Sequence, residues 1–498
     1  MPYVSPGVYV REFDFSQYVA ALSTTVCGMV GTAQKGPLNV ATLISNEAQF
    51  IDTFGEPFTS SMAGYAALQY LRRGTRLLFV RVGSASVDKA SVTIKDEAAG
   101  TNDALKVEAL TEGEWGNDVD IVIAAGTVAG TFKLNVVINN FAEESFDNLV
   151  IDSPSDAQFC ETVINGTSRH ITVEDLTGTF GVPKYGTYDL AGGDNGITGI
   201  ADADYIGTAS PATGLQTLVD PETVDLNMVA IPGISSAAVV NAIITFCETR
   251  NDCLGLIDPP MGLDVQGVID WHNGEGYVHA AFVSNKCALF WPWLQIYDQY
   301  SRQNVWVPPS GQVAQAIAYN DSVAEPWFAP AGIVRGHLFE PLSIEYSPTQ
   351  GERDTLYSGG NAVNPIVNFT RDGINIYGQR TLQRTASSLD RINVRRMLFF
   401  AEKSIATSAR FLVFDQNDAT LWRRFIDLVE PFLESIQARR GLEEFQVICD
   451  ESTNPDWRRN NNEMNGKIYL IPTKSAEKII IDFALFPSGA NFVEPTSF

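Results

Sequence analysis

Between residues 226 and 291 the chain alternates short apolar runs with segments of helical spacing, and that alternation limits its folds more than any other feature. Leu226–Ile231 is an apolar run closed by Pro232-Gly233, and in Ser235–Arg250 the residues Val239, Ala242, Ile243 and Phe246 are spaced for one helical face. Cys253–Ile257 is a second run, closed by Asp258-Pro259-Pro260, and Val278–Phe282 and Ala288–Trp291 continue the series. Strands apolar on both faces need cover on both, which crossover helices supply. The pattern therefore predicts a parallel, two-sided sheet in an α/β unit over about 196–330. With 498 residues the chain has room for roughly three domains.

The flanking regions follow other rules. Residues 91–225 carry 23 acids against 5 bases. Within them Leu105–Ala109, Val119–Ala125 and Phe132–Ile138 read as short strands between turn residues, predicting an inserted β-rich module from about 91 to 190. The glycines of Leu190–Gly196 mark a sharp turn. The last third carries two amphipathic helices. In the first, Val394, Met397, Leu398, Ala401 and Ile405 share one face, with Arg391, Arg395 and Glu402 opposite. The second starts at Asp418 as N-cap and stops at Gly441 as C′ residue; its stripe is Leu421, Trp422, Phe425, Val429, Phe432, Leu433 and Ile436, and Pro431 should kink it. Phe445–Cys449, Lys467–Ile471 and Lys478–Phe486 add strands to an α+β C-terminal unit.

Both ends also read as strands, Val8–Phe15 and Lys478–Phe486, where disorder is the usual expectation. Such a strand needs a sheet edge, either in its own subunit or in a neighbouring one. The net charge of −25 excludes a general nucleic-acid binder. Residues 371–440 nonetheless carry 12 bases against 8 acids, so an acidic module and a mildly basic one share the chain. That split is either uneven solubilising charge or two surfaces facing different surroundings. The six Cys form no CxxC pair and read as reduced, mostly buried thiols of a protein folded in a cytosol. Neither a secretory signal nor an apolar run of about 18 residues is expected.

Chemistry is hard to place. His170, His272, His279 and His337 show no ligand spacing, and no GxSxG elbow, HExxH or Walker loop occurs. Asp450, Glu451 and Asp456, or Asp202 and Asp204, lack the spacing of a calcium loop. Asp258 stands where α/β enzymes keep catalytic groups, after a strand, but has no nucleophile or base beside it in sequence. Phe290-Trp291-Pro292-Trp293 suits packing better than stacking on a sugar or base. No catalytic, metal or cofactor residue is assigned.

A colinear string of segments covers nearly the whole chain outside about 91–185. It runs through Ser5–Glu12, Gly31–Pro37, Phe50–Gly55, Leu78–Val82, Ile231-Pro232-Gly233 and Ile257–Pro260. Val307–Gly311, Ala329–Gly332, Asn361–Pro365, Tyr377–Leu382, Ile392–Arg396 and Cys449-Asp450-Glu451 follow in the same order. In this order the segments resemble the tail sheath proteins of contractile-tailed bacteriophages.

The resemblance implies a non-enzymatic subunit, without cofactor, that forms hexameric rings stacked helically around a tail tube. Contraction of that stack drives the tube through the host envelope. The implied architecture is α/β and α+β multidomain: an α/β core built from N- and C-terminal parts of the chain, an inserted β-rich outer domain, and terminal strand-donating arms. On this sequence it divides into an arm 1–22, a first core part 23–90, an outer domain 91–190, a middle α/β domain 191–365, a C-terminal α+β domain 366–480 and an arm 481–498. The arm strands would carry Val8, Tyr9, Val10, Phe13, Phe15, Ile479, Ile481, Phe483 and Leu485 into a neighbour. Arg391 and Arg395 would face an acidic tube. Expected partners are the chain itself, the tail tube, and baseplate and tail terminator proteins, with no direct nucleic acid and no membrane insertion. The expected place is the virion, after assembly in the host cytoplasm. Two alternatives stand beside this: the sheath of a phage-derived bacteriocin or injection system, and an α/β hydrolase-like enzyme built around Asp258.

Overall fold

The computed structural model describes residues 25–97, 100, 102–151, 153–176, 182–358 and 360–480. Three strands come first, β1 (Val26–Gly31), β2 (Thr42–Ile44) and β3 (Arg76–Arg81). Seven follow in the insert: β4 (Ser91–Lys95), β5 (Asp103–Ala109), β6 (Val119–Ala125), β7 (Phe132–Ile138), β8 (Phe141–Leu149), β9 (Ile171–Asp175) and β10 (Gly186–Asp189). The middle contributes β11 (Met228–Ala230), β12 (Leu254–Ile257), β13 (Cys287–Trp291), β14 (Leu294–Asp298), β15 (Gln303–Val307) and β16 (Ser343–Ile344). Then come β17 (Val363–Phe369), β18 (Gly373–Ile376), β19 (Leu442–Ile448) and β20 (Lys467–Pro472).

One eight-stranded sheet organises the molecule, in the order β18-β17-β13-β12-β11-β1-β3-β2. Its inner pairings are parallel, and the two edge strands β2 and β18 run antiparallel to their neighbours. Alternate residues feed two cores, as period-2 side chains must. Cys27, Met29, Met228, Leu254 and Phe290 point to one side, among the residues of the helices Met62–Leu71 and Pro309–Val323. Val30, Val229, Ile257, Leu289 and Trp291 point to the other, against the helices Ala237–Arg250 and Val265–Asn273. Gly311 lets the first pair of helices touch: a Cβ there would stand 2.6 Å from the Cα of Ala66.

Three sequence expectations change. The sheet takes strands from 26–81 and from 363–376, so a boundary at 365/366 would cut through β17. Period and composition mark strands, not which sheet they join. Val278–Phe282 is no strand; Val278 lies fully exposed, while the His279 and Phe282 rings stack at 4.5 Å. The helix Ala419–Ala438 holds Pro431 inside it, and its left-handed end residue is Arg440 (φ 68°) rather than Gly441. Gly441 is required for a different reason: a Cβ there would run into Ile436 (2.5 Å) and the Trp327 indole.

In the insert, the sheets β4-β5-β9 and β10-β6-β7-β8 share one core of Leu105, Val107, Ile121, Phe132 and Leu134. Exposed Glu143 on the edge strand β8 discourages further pairing there. No helix among the described residues is long and apolar enough to cross a membrane.

Candidate assembly interface

The C-terminal unit is built on the helix Ala419–Ala438. Asp418 caps it by accepting from the Thr420 and Leu421 amides, both at 2.9 Å. Its buried stripe, Leu421, Trp422, Phe425, Leu428, Val429, Phe432, Leu433 and Ile436, faces Met397, Phe400 and Ala401 of the helix Ile392–Ala409 and one face of a β-ribbon. That ribbon is β19 and β20 alone, antiparallel from Leu442↔Pro472 to Ile448↔Lys467. Val447, Phe445, Ile468 and Leu470 turn inward to the helix, while Tyr469 (53% exposed) and Ile471 (49%) stand outward opposite Gln446 and Glu444. Both outer edges of the ribbon lack a strand partner among the described residues. A two-stranded ribbon is marginal in water, and its open edges are templates for a further strand.

Other apolar groups on this unit also face solvent. Phe411 is 79% exposed, and Phe414, held at φ 74°, is fully exposed in the loop between the two helices; Trp457 is exposed nearby in sequence to the ribbon.

The unit is bolted to the large sheet by buried charge. Arg396 grips Asp321 with both guanidinium nitrogens, Nη1 at 2.9 Å, and their side chains are 5% and 1% exposed. Lys403 reaches Asp225, the Leu226 carbonyl (3.0 Å) and Asp252 (3.5 Å). The Trp327 Nε1 donates to the Arg439 carbonyl at 3.0 Å, with the Arg439 guanidinium over its ring.

These joints correct one expectation. Arg391 and Arg395 are not presented outward as free cations. Arg395 is buried, its guanidinium 4.3 Å from the Phe399 ring centroid; burial pulls its pKa down, and the Glu402 carboxylate opposes that. Arg391 is occupied by Glu477 (2.7 and 2.9 Å) and Asp390 (3.0 Å). The helix is buried on both sides, between the long helix and the large sheet's unit, so one apolar stripe did not disclose its second contact face.

Past Pro472 the chain leaves the ribbon without secondary structure. The Thr473 amide donates to the Gly441 carbonyl (3.2 Å), Asn393 donates to Ser475 Oγ (3.1 Å), and Glu477 docks as above. Of the expected arm positions only Ile479 is described; it is 81% exposed and in no strand. Val8, Tyr9, Val10, Phe13, Phe15, Ile481, Phe483 and Leu485 lie outside the described residues.

The enzymatic candidate resolves differently. Asp258 follows β12 and is buried, accepting from Ser310 N (2.9 Å), Ser310 Oγ (2.6 Å) and Gly233 N (3.2 Å). Burial pushes its carboxyl up to about 6, against those donors. It pins the start of the helix Pro309–Val323 and the turn after β11 to the end of β12. Asp258→Asn keeps the size but turns an amide toward a donor, so we expect a loss of about 2 kcal/mol, read as a lower urea midpoint. Asp450 accepts from Ser452 and Thr453 in its own turn, and Asp204 from the Ala201 amide. No group of three or more His, Cys, Asp or Glu among the described residues is arranged to hold a metal ion. All six Cys are buried and unpaired, and burial raises the Cys160 thiol to about 12.

With the two-stranded C-terminal ribbon and the large α/β sheet established, comparison with known proteins is decisive. The family model described as the phage tail sheath protein central domain matches residues 198–382, and that for the phage tail sheath C-terminal domain matches 384–486. The chain belongs to the phage tail sheath family. The tail sheath protein of Vibrio phage KVP40 is 33% identical over 331 residues, which are 62% of this chain and 48% of that protein. That of Enterobacteria phage T4 is 30% identical over 273 residues, 53% of this chain and 41% of that one. The chain thus spans about half the length of the curated relatives it matches. The fold is shared more widely. The sheath tail protein of Listeria innocua superposes with a TM-score of 0.63 at 13% identity, covering 87% of this chain and 90% of that one. The contracted sheath complex of an extracellular contractile injection system does so at 0.57 and 15%, covering 97% and 98%.

Proposed function

We propose that this chain is the repeating subunit of a contractile tail sheath, stacked as hexameric rings around a tail tube. Its contraction drives the tube through the host envelope for genome ejection. The observation that carries the proposal is the β19–β20 ribbon, with its inner face sealed by the long helix and neither edge paired among the described residues. In this reading Val8, Tyr9, Val10, Phe13 and Phe15 of one copy, and Ile479, Ile481, Phe483 and Leu485 of another, add strands to the ribbon of a third. Head-to-tail donation of this kind builds open helical assemblies. Strand tethers also allow rigid bodies to rotate while staying connected.

Its partners are then its own copies, the tube, and the baseplate and terminator proteins at the two ends of the stack. Its place is the virion, after assembly in host cytoplasm. The role is mechanical rather than enzymatic, which suits Asp258 as a buried staple. The sheath of an injection device is the second reading, and relatives at or above 30% identity from phages favour the first. Negative-stain microscopy of the purified protein tests the class: hollow tubes of sheath diameter are expected, and only discrete particles under all assembly conditions would refute it.

A further inference from the structure

The last charged contact before the chain leaves the described body is unusually complete. Glu477 Oε1 accepts from Arg391 Nε (2.7 Å), Gln379 Nε2 (3.0 Å) and Tyr357 OH (3.1 Å), and Oε2 accepts from Arg391 Nη2 (2.9 Å). The receptor is itself assembled: Gln379 is 3% exposed, its backbone N–H donates to Tyr357 OH (3.3 Å), and the Arg391 and Arg380 guanidiniums both lie 5.7 Å from the Tyr357 ring centroid. Three separate parts of the chain build this seat: the segment after the helix Gln350–Leu356, the segment after β18, and the start of the helix Ile392–Ala409. Its Tyr357 and Gln379 line a cleft of about 680 Å³ along which residues 473–478 run.

The segment has little else to hold it. Residues 474–480 are exposed and belong to no sheet, and beyond Glu477 the side chains of Ile479 and Ile480 are 81% and 84% exposed. A bidentate, charge-assisted carboxylate on such a segment fixes a position as well as contributing energy.

We propose that Glu477 is a positioning pin: it fixes the point and direction at which the C-terminal segment leaves its own subunit for the next. This rests on the strand-donation reading above. Without the pin, the last contact with the body is the Asn393 bond to Ser475 Oγ, two residues earlier, so the free segment gains roughly 7 Å of reach. A longer, looser tether lowers the effective concentration of the donated strand at its target.

The test uses the full chain, with Glu477→Ala, Arg391→Met, and a version ending at Lys478. In unassembled protein, a nitroxide label attached at Ile480→Cys should tumble markedly faster in both substitutions, while amide exchange in the ribbon keeps its protection. Polymer growth of Glu477→Ala should slow about tenfold but reach sheath of normal appearance. Unchanged label mobility, or faster tumbling with unchanged growth, overturns the pin. Failure of the donation reading shows separately, as normal polymers from the version ending at Lys478.

Discussion

Replacing Arg396 by Met should destabilise the joint between the C-terminal unit and the large sheet by roughly 3–5 kcal/mol, among the largest effects of any single substitution in the body. Asp321 is 1% exposed on the side chain and meets Arg396 through paired hydrogen bonds. Taking away the guanidinium leaves a carboxylate with neither water nor a counter-charge, and that desolvated charge is the source of the cost. The pair itself contributes much less than this, because both ions gave up hydration to meet. The double replacement Arg396→Met with Asp321→Asn should therefore recover most of the loss. Because the chain has several units, one global free energy is ill-defined. Urea unfolding followed by tryptophan emission is suitable, since Trp327 and Trp422 both sit in the C-terminal core. Equal losses in the single and double variants would show that the side-chain packing, not the stranded charge, matters.

What the sequence disclosed and what it hid divide along a physical line. Period-2 and period-3.6 patterns are local, so β6, β7, β11 to β13 and the stripe Leu421 to Ile436 were legible. Contacts that join distant segments leave no period. Arg395 read as an outward charge because its helix has one evident apolar face, yet the helix is gripped from two sides. The Glu477 seat joins positions 86 and 98 residues apart through Arg391 and Gln379, and nothing near Glu477 in sequence announces it. Gly441 was recognised as necessary but for the wrong cause: crowding against Trp327 rather than a left-handed backbone. Which strands share a sheet was likewise hidden, because β17 has the composition of a core strand wherever a domain boundary is drawn.

Deleting residues 1–15 should leave a protomer with an intact body that forms no sheath. Among the described residues, the buried members of the two main cores and the C-terminal core lie between Cys27 and Cys449, and the body is expected to fold on them. Thermal unfolding of the truncated protomer should accordingly match that of the full chain. Assembly is a different matter. A donated strand of five to eight residues contributes main-chain hydrogen bonds of about 0.5–1.5 kcal/mol net each, and so roughly 2–6 kcal/mol per junction, before any side-chain burial on Tyr469 and Ile471 is counted. In a helical polymer every subunit loses that contribution at once, and at about 1.4 kcal/mol per tenfold change the critical concentration rises beyond a practical range. Sedimentation and negative-stain microscopy decide it: polymers of normal yield from the shortened chain would remove the N-terminal arm from the interface and leave the ribbon's open edge to be filled by the C-terminal segment alone.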